Sequence, residues 1–171
     1  MVSSAAFMSH QPVIDGFEFA SAGAMQRGRM PLSGFPRLQD QLASDAGEVE
    51  YAVEGVLDER GRPSLRLRVR GALQLRCQRC LEPMPHQVEE TQLLVLAATQ
   101  EEIDADPAEA SAPDRLLAAK QMSLRDIVED QLILALPFAP RHARCEAAGE
   151  KGKEGKVSPF AGLRGMLRDR H

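Results

Sequence analysis

The chain has 171 residues and a formal net charge of -4, which suits one domain with tails or one domain with a small appendage. No apolar run approaches the roughly 20 residues of a membrane span, and residues 1–10 lack the basic and apolar regions of a secretory signal. Three cysteines, two of them at Cys-x-x-Cys spacing, argue against a disulfide framework. We therefore expect a cytoplasmic protein with no membrane partner.

The charges are unevenly distributed along the chain. Residues 60–79 contain seven arginines and no acid, whereas residues 82–130 contain twelve acids against three basic residues. From residue 141 onward eight basic residues face four acids. Two basic blocks around an acidic one suit a polyanionic partner, and they could equally neutralise the acidic block within the fold.

The first quarter of the chain shows only weak sequence patterns of secondary structure. We expect residues 1–11 to be disordered and residues 12–19 to form a short strand. Residues 21–34 are rich in Gly, Ala and Met and are predicted to form a loop. Residues 35–43 are predicted to form a short helix, because Leu38 and Leu42 share one helical face.

The middle of the chain predicts three antiparallel strands in meander order. Residues 48–57 and 64–76 alternate between apolar and polar side chains, and the Gly-containing turn 58–62 joins them as a hairpin. Gly71 and Ala72 are predicted to shift the register at a bulge. After a Cys-x-x-Cys turn, residues 87–98 form the third strand.

The remaining pattern predicts one main helix. Residues 99–113 read as a mobile acidic loop and residues 116–119 as a short edge strand. Ser123 and Asp126 have the spacing of a helix N-terminus, and the helix should run to Leu136. The predicted fold is therefore α+β: a small antiparallel meander sheet with one main packed helix and flexible termini. Residues 12–148 form the single domain, and residues 149–171 a flexible linker and tail.

The cysteine turn offers a metal site. Cys77 and Cys80 supply two soft ligands, and a structural zinc needs two more. His142 and Cys145 could complete a site with three cysteines and one histidine. Two alternatives remain open, namely a compact corner with half-buried thiols and a redox pair. The redox pair is disfavoured because no helix follows the cysteines to lower the pKa of a thiol.

A row of arginines offers a second candidate site. Arg66, Arg68 and Arg70 project from one face of their strand, and guanidinium groups suit RNA phosphates. The alternative is a solvated face balanced by the glutamates of the preceding strand. No aromatic platform for unpaired bases is evident, so RNA contacts would go to the backbone or to shape.

Catalytic motifs are not found. The sequence contains no phosphate-binding glycine loop, no His-Glu-x-x-His and no Gly-x-Ser-x-Gly. We expect neither an enzyme nor a small-molecule substrate.

Four motifs occur in order along the chain: Cys-Gln-Arg-Cys-Leu-Glu-Pro at 77–83, Val-Glu-Asp-Gln-Leu-Ile-Leu-Ala-Leu-Pro at 128–137, the pair His142 and Cys145, and Ser-Pro-Phe-Ala-Gly-Leu at 158–163. Together they resemble the bacterial YceD family of large ribosomal RNA subunit accumulation proteins. The resemblance implies a cytoplasmic, non-catalytic ribosome biogenesis factor that supports 23S rRNA accumulation and large-subunit assembly.

The resemblance also implies partners and positions to test. The partner would be 23S rRNA or a large-subunit precursor, with ribosomal proteins as further candidates, and Glu129, Pro159 and Phe160 are the expected partner-binding residues. Zinc is the cofactor to test. The chain departs from the family pattern here, because many relatives carry a second close cysteine pair where this chain has only Cys145, with His142 nearby. The alternative function is a zinc-ribbon-like nucleic-acid-binding adaptor. The positions selected for testing are Cys77, Cys80, Glu129, Pro137, Cys145, Pro159 and Phe160.

Overall fold

A computed structural model of the chain describes residues 12–105 and 113–145. It contains a six-stranded sheet, a separate two-stranded sheet and few helices, which confirms the α+β prediction. No helix in these described ranges is long and apolar enough to cross a membrane. The predictions for residues 1–11 and 149–171, including Pro159 and Phe160, lie outside the described residues.

Three long strands form the centre of the sheet: β4 (Glu48–Leu57), β5 (Pro63–Arg76) and β6 (Pro83–Ala97). They pair antiparallel in chain order, which confirms the predicted meander. Burial alternates along β4 and β5, because successive side chains point to opposite faces of a strand. The inward residues of these two strands, such as Val53 and Leu67, are fully buried.

Shorter strands extend this centre. Strand β2 (Met25–Pro31) pairs antiparallel with β4, β3 (Leu42–Ser44) pairs with β5, and β7 (Asp114–Leu117) lies parallel to β6 at the far edge. The prediction of a loop over residues 21–34 was therefore wrong. Only Met30 of the seven β2 residues is buried, so this strand lacks the apolar alternation by which the others could be predicted.

The predicted strand over residues 12–19 was right only at its start. Strand β1 (Val13–Ile14) pairs with β8 (Met122–Ser123), and the chain then enters helix α1 (Gly16–Ser21). The Asp15 carboxylate caps this helix by accepting a hydrogen bond from the Glu18 amide at 3.1 Å. The capping residue marked a helix start that the strand prediction overlooked.

The predicted bulge at Gly71 was also wrong. The register of β5 continues without a shift on both sides, with Gly71 opposite Val49 and Val88. A Cβ atom at residue 71 would lie 2.7 Å from a Val49 methyl carbon, so glycine serves close cross-strand packing. The irregularity lies instead between Leu42 and Ser44.

Two segments differ from their predicted secondary structure. The segment predicted as a helix over residues 35–43 forms a 3₁₀ helix, Pro36–Gln41, which follows another at Leu32–Gly34. The segment predicted as a mobile loop contains α2 (Gln100–Asp104), capped by Thr99. Residues 106–112 of that segment lie outside the described part of the chain.

The main helix, α3 (Leu124–Ala135), forms where it was predicted. The Ser123 hydroxyl caps it by accepting from the Asp126 amide at 3.3 Å. Its apolar face buries Leu124, Val128 and Leu132 completely, which fixes the helix on the core. The chain leaving this helix then returns to the turn between β5 and β6.

Candidate metal centre

The turn between β5 and β6 forms a compact knuckle over residues 77–82. The Cys77 amide donates to the Glu82 carbonyl at 3.0 Å, and the Leu81 amide donates to the Cys77 carbonyl at 2.9 Å. Leu81 takes a positive φ of 66°, an unfavourable conformation for a residue with a Cβ. These bonds hold Cys77 and Cys80 in one tight turn, with Cys77 fully buried.

A second segment, residues 140–145, lies against this knuckle. The Gln78 amide donates to the Pro140 carbonyl at 2.8 Å. The His142 ring contacts the Pro83 carbonyl through Nε2 at 3.1 Å. The sequence interpretation missed both carbonyls, because a main-chain acceptor leaves no signature in the residue type.

Together the two segments place four donor atoms in one cluster. The Cys77 and Cys145 sulfurs are 3.8 Å apart, and the Cys80 sulfur lies 3.4 Å from His142 Nδ1. All four donor atoms lie within 4.8 Å of one another. A tetrahedral zinc with ordinary bond lengths would separate two sulfurs by about 3.8 Å and a sulfur and a nitrogen by about 3.5 Å. The donor set and its spacing therefore fit zinc.

The histidine is held in the tautomer that a metal needs. A carbonyl oxygen can only accept a hydrogen bond, so the contact with Pro83 assigns the ring proton to Nε2. The lone pair of Nδ1 then faces Cys80. Hydrogen bonding of the non-coordinating nitrogen is the usual way in which proteins orient a histidine ligand.

The thiols have opposite pKa shifts. Burial by itself raises the pKa of Cys77, but hydrogen bonds from the backbone amides of Cys80, Arg79 and His142 outweigh it and lower the pKa to about 5. Burial, together with hydrogen bonds to the Cys77 and Cys80 sulfurs and the charge of those groups, raises the pKa of Cys145 to about 11. A bound cation would remove this conflict, because it stabilises every thiolate at once.

The geometry favours a metal site over the other two readings of the cysteine turn. The third cysteine is not incidental, because it contacts Cys77, and all three cysteines are free thiols. Strand β6 rather than a helix follows the pair, so no helix dipole activates Cys77 or Cys80 for redox chemistry.

The arginine row lies on the outer face of the sheet, as predicted, but two of its three arginines form ion pairs with glutamates. Arg66 forms an ion pair with Glu54 at 2.9 Å, and Arg70 forms one with Glu50 at 2.7 Å. The bond from Arg70 and its charge lower the pKa of the Glu50 carboxyl. Arg68 instead donates to the Thr91 hydroxyl at 3.3 Å. Glutamates of the neighbouring strand therefore neutralise Arg66 and Arg70, as the alternative reading of this face expected.

Glu129 is buried beneath α3 and not exposed as the expectation of a partner-binding residue requires. Its side chain is 1% exposed. It accepts from the Arg37 amide at 2.7 Å and from the Arg37 guanidinium at 3.0 Å. The carboxylate therefore fastens the 3₁₀ helix Pro36–Gln41 to α3 and has no exposed surface to offer a partner.

Comparison with known proteins identifies one family. The model of the family described as "Large ribosomal RNA subunit accumulation protein YceD" matches residues 65–167, more than half of the chain. All four residues of the donor cluster lie within the matched range. No solved structure matches this chain.

Proposed function

This chain belongs to the YceD family of large ribosomal RNA subunit accumulation proteins, and from that premise we propose that it supports 23S rRNA accumulation as a non-catalytic factor in large-subunit assembly. The proposal places the protein in the cytoplasm, with a large-subunit precursor or its ribosomal proteins as partner. The family match over residues 65–167 carries the proposal. The donor cluster of Cys77, Cys80, His142 and Cys145 supports its non-catalytic part, since this set suits a structural centre.

The four residues would hold zinc, which when bound supplies a cross-link between the knuckle and the segment 140–145. Cys77 and Cys80 would bind from the knuckle, and His142 and Cys145 from the second segment. A site with four protein ligands leaves no open position for a substrate. This supports a structural role for the centre rather than a catalytic one.

The second candidate, a zinc-ribbon-like nucleic-acid-binding adaptor, is favoured by the same cluster. It differs from the first in that RNA binding would itself require the metal centre. In the arginine row, Arg68 is the proposed RNA contact, because Arg66 and Arg70 are paired with glutamates. Pro159 and Phe160 stay proposed partner contacts.

Co-sedimentation tests the proposed function. Lysates containing the tagged protein are separated on sucrose gradients at low and physiological salt, and fractions are probed for the protein and for 23S and 16S rRNA. We expect the protein in the fractions of large-subunit precursors. In cells lacking the protein, we expect the ratio of 23S to 16S rRNA to fall and the wild-type chain to restore it.

Two results would contradict the proposal. One is a protein found only in the free fractions at both salt concentrations. The other is a normal ribosomal profile in cells that lack it. Expression of the wild-type chain in the deleted strain controls for secondary mutations.

A further inference from the structure

We propose that the knuckle and the segment 140–145 together carry a binding surface for single-stranded RNA. This surface is built from the arginines that precede the four candidate metal ligands. This inference rests on the proposed function and specifies where the RNA partner would be held. Each of the four candidate ligands is immediately preceded in the chain by an arginine. We call these residues the knuckle arginines: Arg76, Arg79, Arg141 and Arg144.

The fold gathers the knuckle arginines although they come from two distant segments. The ligand atoms that follow them lie within 4.8 Å of one another, and consecutive Cα atoms are only about 3.8 Å apart. All four arginines are exposed, whereas the ligands beside them are buried or half-buried. The backbone of all four arginines therefore lies beside the donor cluster, and their exposed side chains form what we call the rim of the cluster.

The charge of this rim is little compensated by acids. Within the described residues, none of the knuckle arginines forms an ion pair, in contrast to Arg29, Arg66 and Arg70 on the sheet. Glu82 is the one acid of the knuckle itself. Guanidinium groups bind phosphate through paired, planar hydrogen bonds, so the rim suits an RNA backbone better than the partly neutralised sheet face does.

An exposed aromatic side chain lies two residues before the segment 140–145. Phe138 is fully exposed, at 106% of its reference area, and it precedes by two residues the Pro140 carbonyl that is bonded to Gln78. A solvated phenyl ring beside a cationic rim is the arrangement that stacks an unpaired base while arginines hold its phosphates. Phe138 thus offers the aromatic surface that the sequence interpretation did not find, and its exposure is the reason to propose single-stranded over paired RNA.

The test measures RNA affinity by fluorescence anisotropy, with the full chain reconstituted with zinc and a labelled 20-nucleotide oligouridine. The variant Arg79→Gln/Arg144→Gln removes one arginine from each segment. For single-stranded RNA, each phosphate contact adds about 0.7 to the slope of the log binding constant against log salt concentration. One contact therefore contributes about fivefold in affinity at about 0.1 M salt. We expect this variant to lose about 25-fold in affinity and its salt slope to fall by about 1.4.

A matched control removes the same charge elsewhere. The variant Arg27→Gln/Arg60→Gln changes two exposed arginines away from the knuckle, one of them in the turn at the opposite end of β5, roughly 40 Å distant. It should retain affinity within about twofold of wild type. Phe138→Ala should lose about tenfold, and Phe138→Tyr should restore binding, because either ring can stack on a base.

Four results would overturn the inference. They are no oligouridine binding by wild type, an equal loss in the matched control, tighter binding to an RNA duplex than to the single strand, and preferential binding of an acidic peptide of equal charge. Co-sedimentation of the Arg79→Gln/Arg144→Gln variant separates the two proposals. If that variant sediments as wild type does while the RNA assay fails, the surface is wrong and the proposed function stands.

Discussion

Substitution of Glu129 tests whether this residue acts inside the fold or at a partner surface. Its carboxylate receives two hydrogen bonds from Arg37, at 2.7 Å from the amide and 3.0 Å from the guanidinium. Glu129→Gln keeps an acceptor for the amide but makes that bond neutral. Glu129→Leu removes the acceptor and leaves the amide without a partner.

The expected costs follow from these bonds. A hydrogen bond to a charged group contributes about 1.5–3 kcal/mol and a neutral one about 0.5–1.5 kcal/mol, so Glu129→Gln should lower the free energy of unfolding by about 1 kcal/mol. Glu129→Leu loses the bond altogether and leaves the Arg37 amide without an acceptor. It should therefore lower the free energy of unfolding by about 3 kcal/mol. Both leave the surface unchanged, because Glu129 is 1% exposed.

The assay is urea unfolding of full-length protein, with the midpoint and the slope determined together. Glu59→Gln, at an exposed position in the hairpin turn, is the control and should not move the midpoint. The reasoning fails if Glu129→Leu costs no more than Glu129→Gln. It also fails if either variant keeps wild-type stability while losing co-sedimentation, since that pattern belongs to a partner contact.

Three further predictions concern the knuckle and the hairpin. Cys145→Ser should lower zinc affinity at least about hundredfold in a chelator competition, whereas His86→Ala, outside the donor cluster, should leave it unchanged at one zinc per chain. Leu81→Gly should raise the free energy of unfolding by about 1 kcal/mol, because the positive φ at Leu81 is unfavourable for a side chain, as thermal unfolding would show. The pKa of Asp58 is lowered because hydrogen bonds from Arg62 and the Arg60 amide outweigh burial, so its stabilising contribution is present above about pH 4 and is lost as the pH falls. Asp58→Asn should therefore lower the urea midpoint at pH 7 and weaken its acid dependence below pH 4.

Each of these has an outcome that contradicts it. Equal zinc affinity in the Cys145→Ser and His86→Ala variants would show that Cys145 is not a zinc ligand. A less stable Leu81→Gly protein would show that the exposed leucine makes contacts that matter more than its backbone conformation. An Asp58→Asn protein with the same acid profile as wild type would mean that the carboxylate is not the titrating group.

The parts of the fold that could be predicted are those in which burial repeats with a fixed period. Strands β4 and β5 alternate along their whole length, and Ser123 marks the start of α3 by its spacing to Asp126. Strand β2 could not be found in this way, because its pairing with β4 uses main-chain bonds and buries only Met30. The position of Glu129 was missed since its partner, Arg37, lies 92 residues away in the chain.

The candidate metal centre was predicted only as a set of residue types. Cys77 and Cys80 are close by sequence, but nothing in the spacing shows that a segment 62 residues later returns to them. That return depends on where α3 ends and on the Pro140 carbonyl. The knuckle arginines had a signal in the sequence, since an arginine precedes each ligand, but its meaning depends on the contact between the two segments.

The separation of the two halves of the centre has a consequence for the newly made chain. Cys80 is synthesised 62 residues before His142, a delay of about 3–12 seconds at typical translation rates. During that interval the knuckle can offer only two thiols, and it lacks the histidine, the third cysteine and half of its arginines. If the finished protein binds RNA at this surface as proposed, a nascent chain in this interval would lack half of the arginines that the surface requires.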